Sequence, residues 1–153
     1  VAVHLPNSPV IATGKRDGSK IRLPNGNYLE ETASYYVMIE TKTGGYTPAL
    51  ITMKSTQLNV SKKWNSMMKT IQIPDGKGGF AIPPMHGVVY NLASTLQKND
   101  KGSWYGWVVT QDRIMGQNDK TLYLSAKDFA GNVSKGSVQT KADVEEKKDS
   151  TPY

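Results

Sequence analysis

Apolar and polar positions alternate in two blocks of the chain, and each block reads as an antiparallel hairpin. In the later block, the apolar run Pro84–Leu96 is followed by Lys98–Asn–Asp–Lys–Gly–Ser–Trp–Tyr–Gly–Trp–Val–Val–Thr110. Two stretches rich in Val, Tyr and Trp flank Lys, Asn, Asp and Gly, residue types that accept the backbone angles of a tight reversal. In the earlier block, Tyr28–Thr41 contains the β-branched and aromatic run Tyr35–Tyr–Val–Met–Ile39. Thr41–Tyr46 turns the chain, and Thr47–Lys54 returns with Ala49, Ile51 and Met53 on one face. Between the blocks the period changes. Val60, Trp64, Met67 and Ile71 recur at spacings of three and four while Lys62, Lys63 and Lys69 fall off that stripe. This predicts an amphipathic helix over 55–71, capped by Ser55 or Thr56, with Trp64 as a core plug and its lysines in water. A second stripe, Leu122, Ala126, Phe129, Ala130 and Val133, predicts a C-terminal helix capped by Asn118 or Asp119 after a polar linker over 112–118.

The remaining segments read as turns or ends. Val1–Arg16 is punctuated by Pro and Gly and is expected to form a loosely ordered arm, with Val10–Ala12 as an edge strand. Gly14–Arg22 places Lys15, Arg16, Lys20 and Arg22 around two glycines, a basic loop or hairpin, and Pro24–Asn27 signals a further turn. Pro74–Phe80 reads as a mobile glycine-rich connection without the spacing of a phosphate-binding P-loop. Residues 1–141 are expected to form one domain, and residues 142–153, with no stripe to bury, a flexible tail.

Composition narrows the class. With 37% hydrophobic residues, 14 Gly and 8 Pro, the balance suits short strands and turns better than a helical bundle. No cysteine is present, so disulfides and thiolate metal sites are excluded, and no apolar run reaches membrane-spanning length. The opening residues lack a charged start followed by an apolar block, so no secretory leader is read there and a cytoplasmic location is expected. Net charge is +6, with 17 Lys and Arg against 9 acids in residues 1–141 and 2 against 4 thereafter. A basic body attracts polyanions, nucleic acid above all.

Catalytic signatures are absent. His4 and His86 are the only imidazoles, so no histidine pair is spaced for a metal. The acids are scattered, with Glu30, Glu31 and Asp112 alone near expected sheet ends, where a two-metal nuclease centre needs several to converge. The serine in Gly102–Ser–Trp–Tyr–Gly106 stands one position too early for a nucleophile elbow. What remains is binding chemistry. Trp104, Tyr105 and Trp107 lie within four residues beside Lys98 and Lys101, with Tyr90 on the facing strand. Rings that stack on bases next to ammonium groups that neutralise phosphates are what a single-stranded nucleic acid needs. Strict alternation separates Trp104 from Tyr105 and Trp107. Trp104 is expected to face solvent and Trp107 the core, with the roles exchanged if a bulge at Gly106 shifts the phase. Tyr105–Gly–Trp–Val–Val–Thr110 also partly matches the aromatic core of an RNA-recognition octamer, in which a small Gly between rings leaves room for a base.

The order of strands, helix, hairpin and final helix is that of an OB fold. The expected fold is mainly β with two helices: an OB-fold-like five-stranded antiparallel barrel with a helix between the third and fourth strands, followed by a C-terminal helix. Ile51–Thr–Met–Lys–Ser–Thr–Gln–Leu–Asn–Val–Ser–Lys–Lys–Trp–Asn65, Lys101–Gly–Ser–Trp–Tyr–Gly–Trp107 and Leu122–Tyr–Leu–Ser–Ala–Lys–Asp–Phe129 resemble segments of phage-encoded single-stranded DNA-binding proteins over roughly 28–133. That resemblance implies non-sequence-specific binding of single-stranded DNA, or RNA, in phage replication or recombination, without catalysis or cofactor. It also implies replication proteins and further copies of the chain as partners. Trp104, Tyr105, Trp107 and Tyr90 would stack bases, and Lys98, Lys101, Lys15, Arg16, Lys20 and Arg22 would neutralise phosphates. In that group an acidic C-terminus contacts replication partners, whereas 142–153 is only weakly acidic. The alternative is a phage structural or interaction component whose aromatic hairpin is an assembly interface.

Overall fold

Both hairpins form, and a helix joins them. A computed structural model of the chain describes residues 2–138. The segment 142–153 and the end of the expected domain at 141 lie outside the described residues. In chain order the elements begin with α1 (Pro9–Ala12), β1 (Lys15–Asp17), β2 (Lys20–Arg22) and β3 (Tyr28–Glu30). Next come β4 (Thr32–Glu40), β5 (Tyr46–Lys54), α2 (Leu58–Thr70), β6 (Ile73–Pro74) and β7 (Phe80–Ala81). The last are β8 (Val88–Asn99), β9 (Gly102–Ile114) and α3 (Lys120–Ser134). Among the described residues the fold is mainly β with three helices, and the strands form four separate antiparallel sheets: β1–β2–β3, β4–β5, β6–β7 and β8–β9.

No five-stranded barrel closes among the described residues, because α2 occupies the seam where the two large hairpins would have to pair. Trp64, 6% exposed, stacks on Tyr35 of β4 with ring centroids 4.4 Å apart and meets Tyr90 of β8 edge-on at 5.6 Å. The Tyr35 hydroxyl lies 2.7 Å from Ser61 Oγ and donates to Asn65 Oδ1 at 2.9 Å, which fixes the roll of the helix on its sheet. Beneath it Ala33, Tyr35 and Val37 face Met53, Ile51 and Ala49 across β4–β5, and Met53 is fully buried. Of the residues expected inside a barrel, Val88 is buried, while Val37, Ile51 and Val89 are half-buried. Ile39 is exposed, for it pairs with Thr47 next to the 41–45 turn that closes its hairpin. Two strand edges are also unsuited to further pairing. Pro48 removes an N–H from β5, and the outer edge of β9 has its Trp107 N–H taken by Gln57 Oε1 at 2.9 Å.

Other expectations change locally. Val10–Ala12 is helical rather than extended, because Pro9 supplies a preset first helical position. The start of α2 is preceded by a 3-10 turn, Ser55–Gln57, with no side-chain cap. Asp112 to Ile114 belong to β9 rather than to a linker. The Pro74–Phe80 connection is tied rather than loose: Asp75 Oδ1 accepts the Lys77 and Gly79 N–H groups at 2.7 and 3.0 Å. Those bonds hold the Asp75 carboxyl below its ordinary range. They also occupy with a carboxylate the amides that a phosphate would need. α3 buries Ala126 and half-buries Leu122, Phe129, Ala130 and Val133, as its stripe predicts.

Candidate nucleic-acid interface

The β8–β9 ribbon is about 40 Å long at ~3.4 Å per residue. It is closed by a two-residue Asp100–Lys101 loop, with Asn99 paired to Gly102. Asn99 Oδ1 accepts the Lys101 N–H at 2.8 Å, and Gly102 turns the chain with φ +138°, a conformation that excludes most side chains. The register pairs Lys98 with Ser103, Leu96 with Tyr105, Ser94 with Trp107 and Leu92 with Val109, which places these residues on one face. The opposite face carries Gln97 with Trp104, Thr95 with Gly106 and Ala93 with Val108.

Toward the tip the first face is open, while Leu92 and Val109 farther down it are half-buried. Tyr105 is 72% exposed, Trp107 37% and Leu96 49%, and Lys98 and Lys101 stand exposed at the tip beside them. The expected roles of Trp104 and Trp107 are therefore exchanged: Trp104 is half-buried, and its Nε1 is shielded from solvent without a partner. No bulge at Gly106 causes this. The register irregularity lies between Val89 and Tyr90, where Asp112 is the unpaired extra residue. Alternation sorts side chains into two faces, and which face is covered depends on the neighbouring helix. Gly106 does not leave room for a base either. It is buried, and an added Cβ would stand 2.6 Å from Gln97 Nε2 and 2.8 Å from Gln57 Nε2.

Tyr90 leaves the stacking set, since it packs on Trp64 and burial raises its hydroxyl pKa. The N-terminal cations stand on another sheet and on both of its faces. Lys15, Lys20 and Arg22 share one face with Asp17, Tyr28 and Glu30, while Arg16 lies opposite with Ile21 and Leu29. Tyr28 Oη donates to Asp17 at 3.1 Å, and the bond and charge of Asp17 raise the Tyr28 pKa. Glu30 pairs with Lys54 at 3.7 Å. The four cations thus form a charge-mixed sheet rather than one basic patch. Gln57, which the sequence reading passed over, links the α2 end to the ribbon through the Trp107 amide. An amide side chain carries no periodicity signal that would have revealed it.

Among the described residues no three His, Cys, Asp or Glu side chains come together to hold a metal. His86 stacks obliquely on Tyr123 of α3 at 5.2 Å. Among the described residues no helix is long and apolar enough to cross a membrane.

The family described as Pam3 phage gp34-like protein matches residues 1–139. The chain belongs to this family. It is therefore a phage protein, and the ribbon, α2 and α3 all fall within the matched region. No curated protein and no solved structure matches the chain.

Proposed function

We propose that this phage protein binds single-stranded nucleic acid, DNA in the first instance, without sequence preference, through the open face of the β8–β9 ribbon. The observation that carries the reading is the exposure of Tyr105 and Trp107 on one face, with Lys98 and Lys101 at its end. Two rings at positions i and i+2 of a strand stand about 6.8 Å apart, so successive bases can stack without any hydrogen-bond readout. The order of hairpin, helix and hairpin is shared with OB folds, in which the last hairpin grips oligonucleotides, and the reading needs that hairpin rather than a closed barrel. Replication or recombination is the setting such binding would serve. Anisotropy titration of a labelled oligo-dT at two salt concentrations tests it. Binding that weakens with salt and is impaired by Tyr105→Ala supports the reading, and no binding at low salt refutes it.

A second reading, a phage assembly component, is favoured by one specific observation. Five hydrophobic side chains are buried among the described residues, whereas Tyr36, Leu50 and Tyr46 are exposed together on the outer face of β4–β5. An exposed apolar sheet face is a feature of assembly surfaces. Light scattering of the purified chain separates this reading: a stable oligomer that ignores oligo-dT would replace the nucleic-acid proposal.

A further inference from the structure

α2 differs from every other regular element in its charge. Lys62, Lys63 and Lys69 are exposed, the helix contains no Asp or Glu, and none of the three lysines forms an ion pair with a described carboxylate. By contrast, the cations of β1 and β2 are interleaved with Asp17 and Glu30, and α3 carries Asp128 next to Lys127. The orientation of α2 is fixed by its buried side. Trp64 and Ser61 point into the seam between Tyr35 and Tyr90, so the lysines, off that stripe, look outward. Lys62 and Lys69 are seven residues apart, almost two turns, which aligns them on one side about 10.5 Å apart along the axis. Asn59 and Ser66 on the same exposed side are neutral.

The helix is also joined to the strand that carries the stacking rings. Gln57, immediately before α2, accepts the backbone N–H of Trp107 at 2.9 Å, so the start of the helix adjoins the edge of β9 at the position of the inner ring. We infer that the outer face of α2, through Lys62, Lys63 and Lys69, is the phosphate-binding lobe of the ribbon site. It takes the backbone of a single strand whose bases stack on Tyr105 and Trp107. This rests on the ribbon reading. It replaces the expected contribution of Lys15, Arg16, Lys20 and Arg22, whose sheet offers mixed charge. Three lysines with no ion pair among the described residues suit a polyanion backbone, because each phosphate neutralised releases condensed counterions.

The test is a salt titration of labelled oligo-dT binding by the full chain and four variants. For Lys62→Gln/Lys63→Gln/Lys69→Gln the slope of log K against log salt should fall by about 2, at ~0.7 per phosphate contact on a single strand, which is roughly a 100-fold loss at 0.1 M salt. Lys15→Gln/Lys20→Gln should leave the slope within error of the wild type. Single Lys62→Gln, with an unchanged melting midpoint, should lower it by about 0.7, which guards against misfolding of the triple variant. A wild-type slope retained by the triple variant, or lost in Lys15→Gln/Lys20→Gln instead, overturns the assignment of α2 while leaving the ribbon in place. A wild type that does not bind oligo-dT, or binding that Tyr105→Ala does not weaken, overturns the ribbon reading and this inference with it.

Discussion

At the scale of single residues, burial separates rings that the sequence sets side by side. Tyr105 is exposed and Trp64 is enclosed, so their truncations should fail in different assays. Tyr105→Ala should weaken oligonucleotide binding by about 1–3 kcal/mol, roughly 5- to 150-fold, while the denaturant midpoint stays in place. Trp64→Ala should cost about 3–5 kcal/mol of folding stability, read from the same denaturation curves, because it empties the seam between the two hairpins. Gly106→Ala is a subtler probe. Its new methyl group would displace the ends of Gln57 and Gln97, which are flexible. The expected loss is therefore about 1 kcal/mol, that of the Gln57 bond to the Trp107 amide, rather than unfolding. The aromatic cluster itself was legible in the sequence, since Trp, Tyr and Lys types carry the chemistry. Which ring faces water was not, because a single strand has two equivalent faces until a helix covers one.

At the scale of elements, periodicity revealed what it can encode: the two long hairpins, α2 and α3 lie where their alternating and helical stripes put them. Short elements have no repeat and were legible only through turn residues: the glycines of Gly14–Arg22 and the Pro24–Asn27 turn marked the β1–β2 hairpin and the bend that follows it. The single turn of α1, which starts at Pro9, was read as an edge strand, because three apolar residues fit either conformation. The docking of α3 makes a pH prediction. Burial, and then the charge of Lys127, hold the His86 pKa below its ordinary value. The unfolded chain therefore takes up the proton first, and stability should decline as pH falls below about 6.5. His86→Gln should flatten that part of the profile. A second window lies lower. Arg113, bonded to Asp119 at 2.9 Å, and the Gly116 N–H keep the Asp119 carboxyl below its ordinary range. Its contribution is complete above the unfolded carboxylate pKa of about 3.9 and is lost as pH falls through its folded value. Asp119→Asn should reduce the acid-side loss, to which Asp75 also contributes, and leave the window near 6.5 unchanged. Thermal melts across pH 3–8 on the two variants, read for separate effects in separate windows, check both assignments.

At the scale of the whole molecule, charge and apolar surface were each visible in composition but not in arrangement. The net charge of +6 pointed to a polyanion partner, yet the cations that cluster most in sequence, Lys15 to Arg22, are the ones the fold mixes with acids. The acid-free helix, which looked like an ordinary solvated face, is the element joined to the ribbon. The barrel was inferred from element order, and order does not specify edge pairing. α2 in the seam, Pro48 in β5 and Gln57 on β9 keep the sheets apart. The central claim is that the open ribbon face holds a single strand by stacking. Its most direct test is the affinity of the wild type and of Tyr105→Ala for labelled oligo-dT, measured at low and moderate salt on protein of equal denaturant midpoint. The account predicts salt-sensitive binding by the wild type and roughly 5- to 150-fold weaker binding by the variant at both salts. Equal affinities, or no binding by the wild type at low salt, would contradict it.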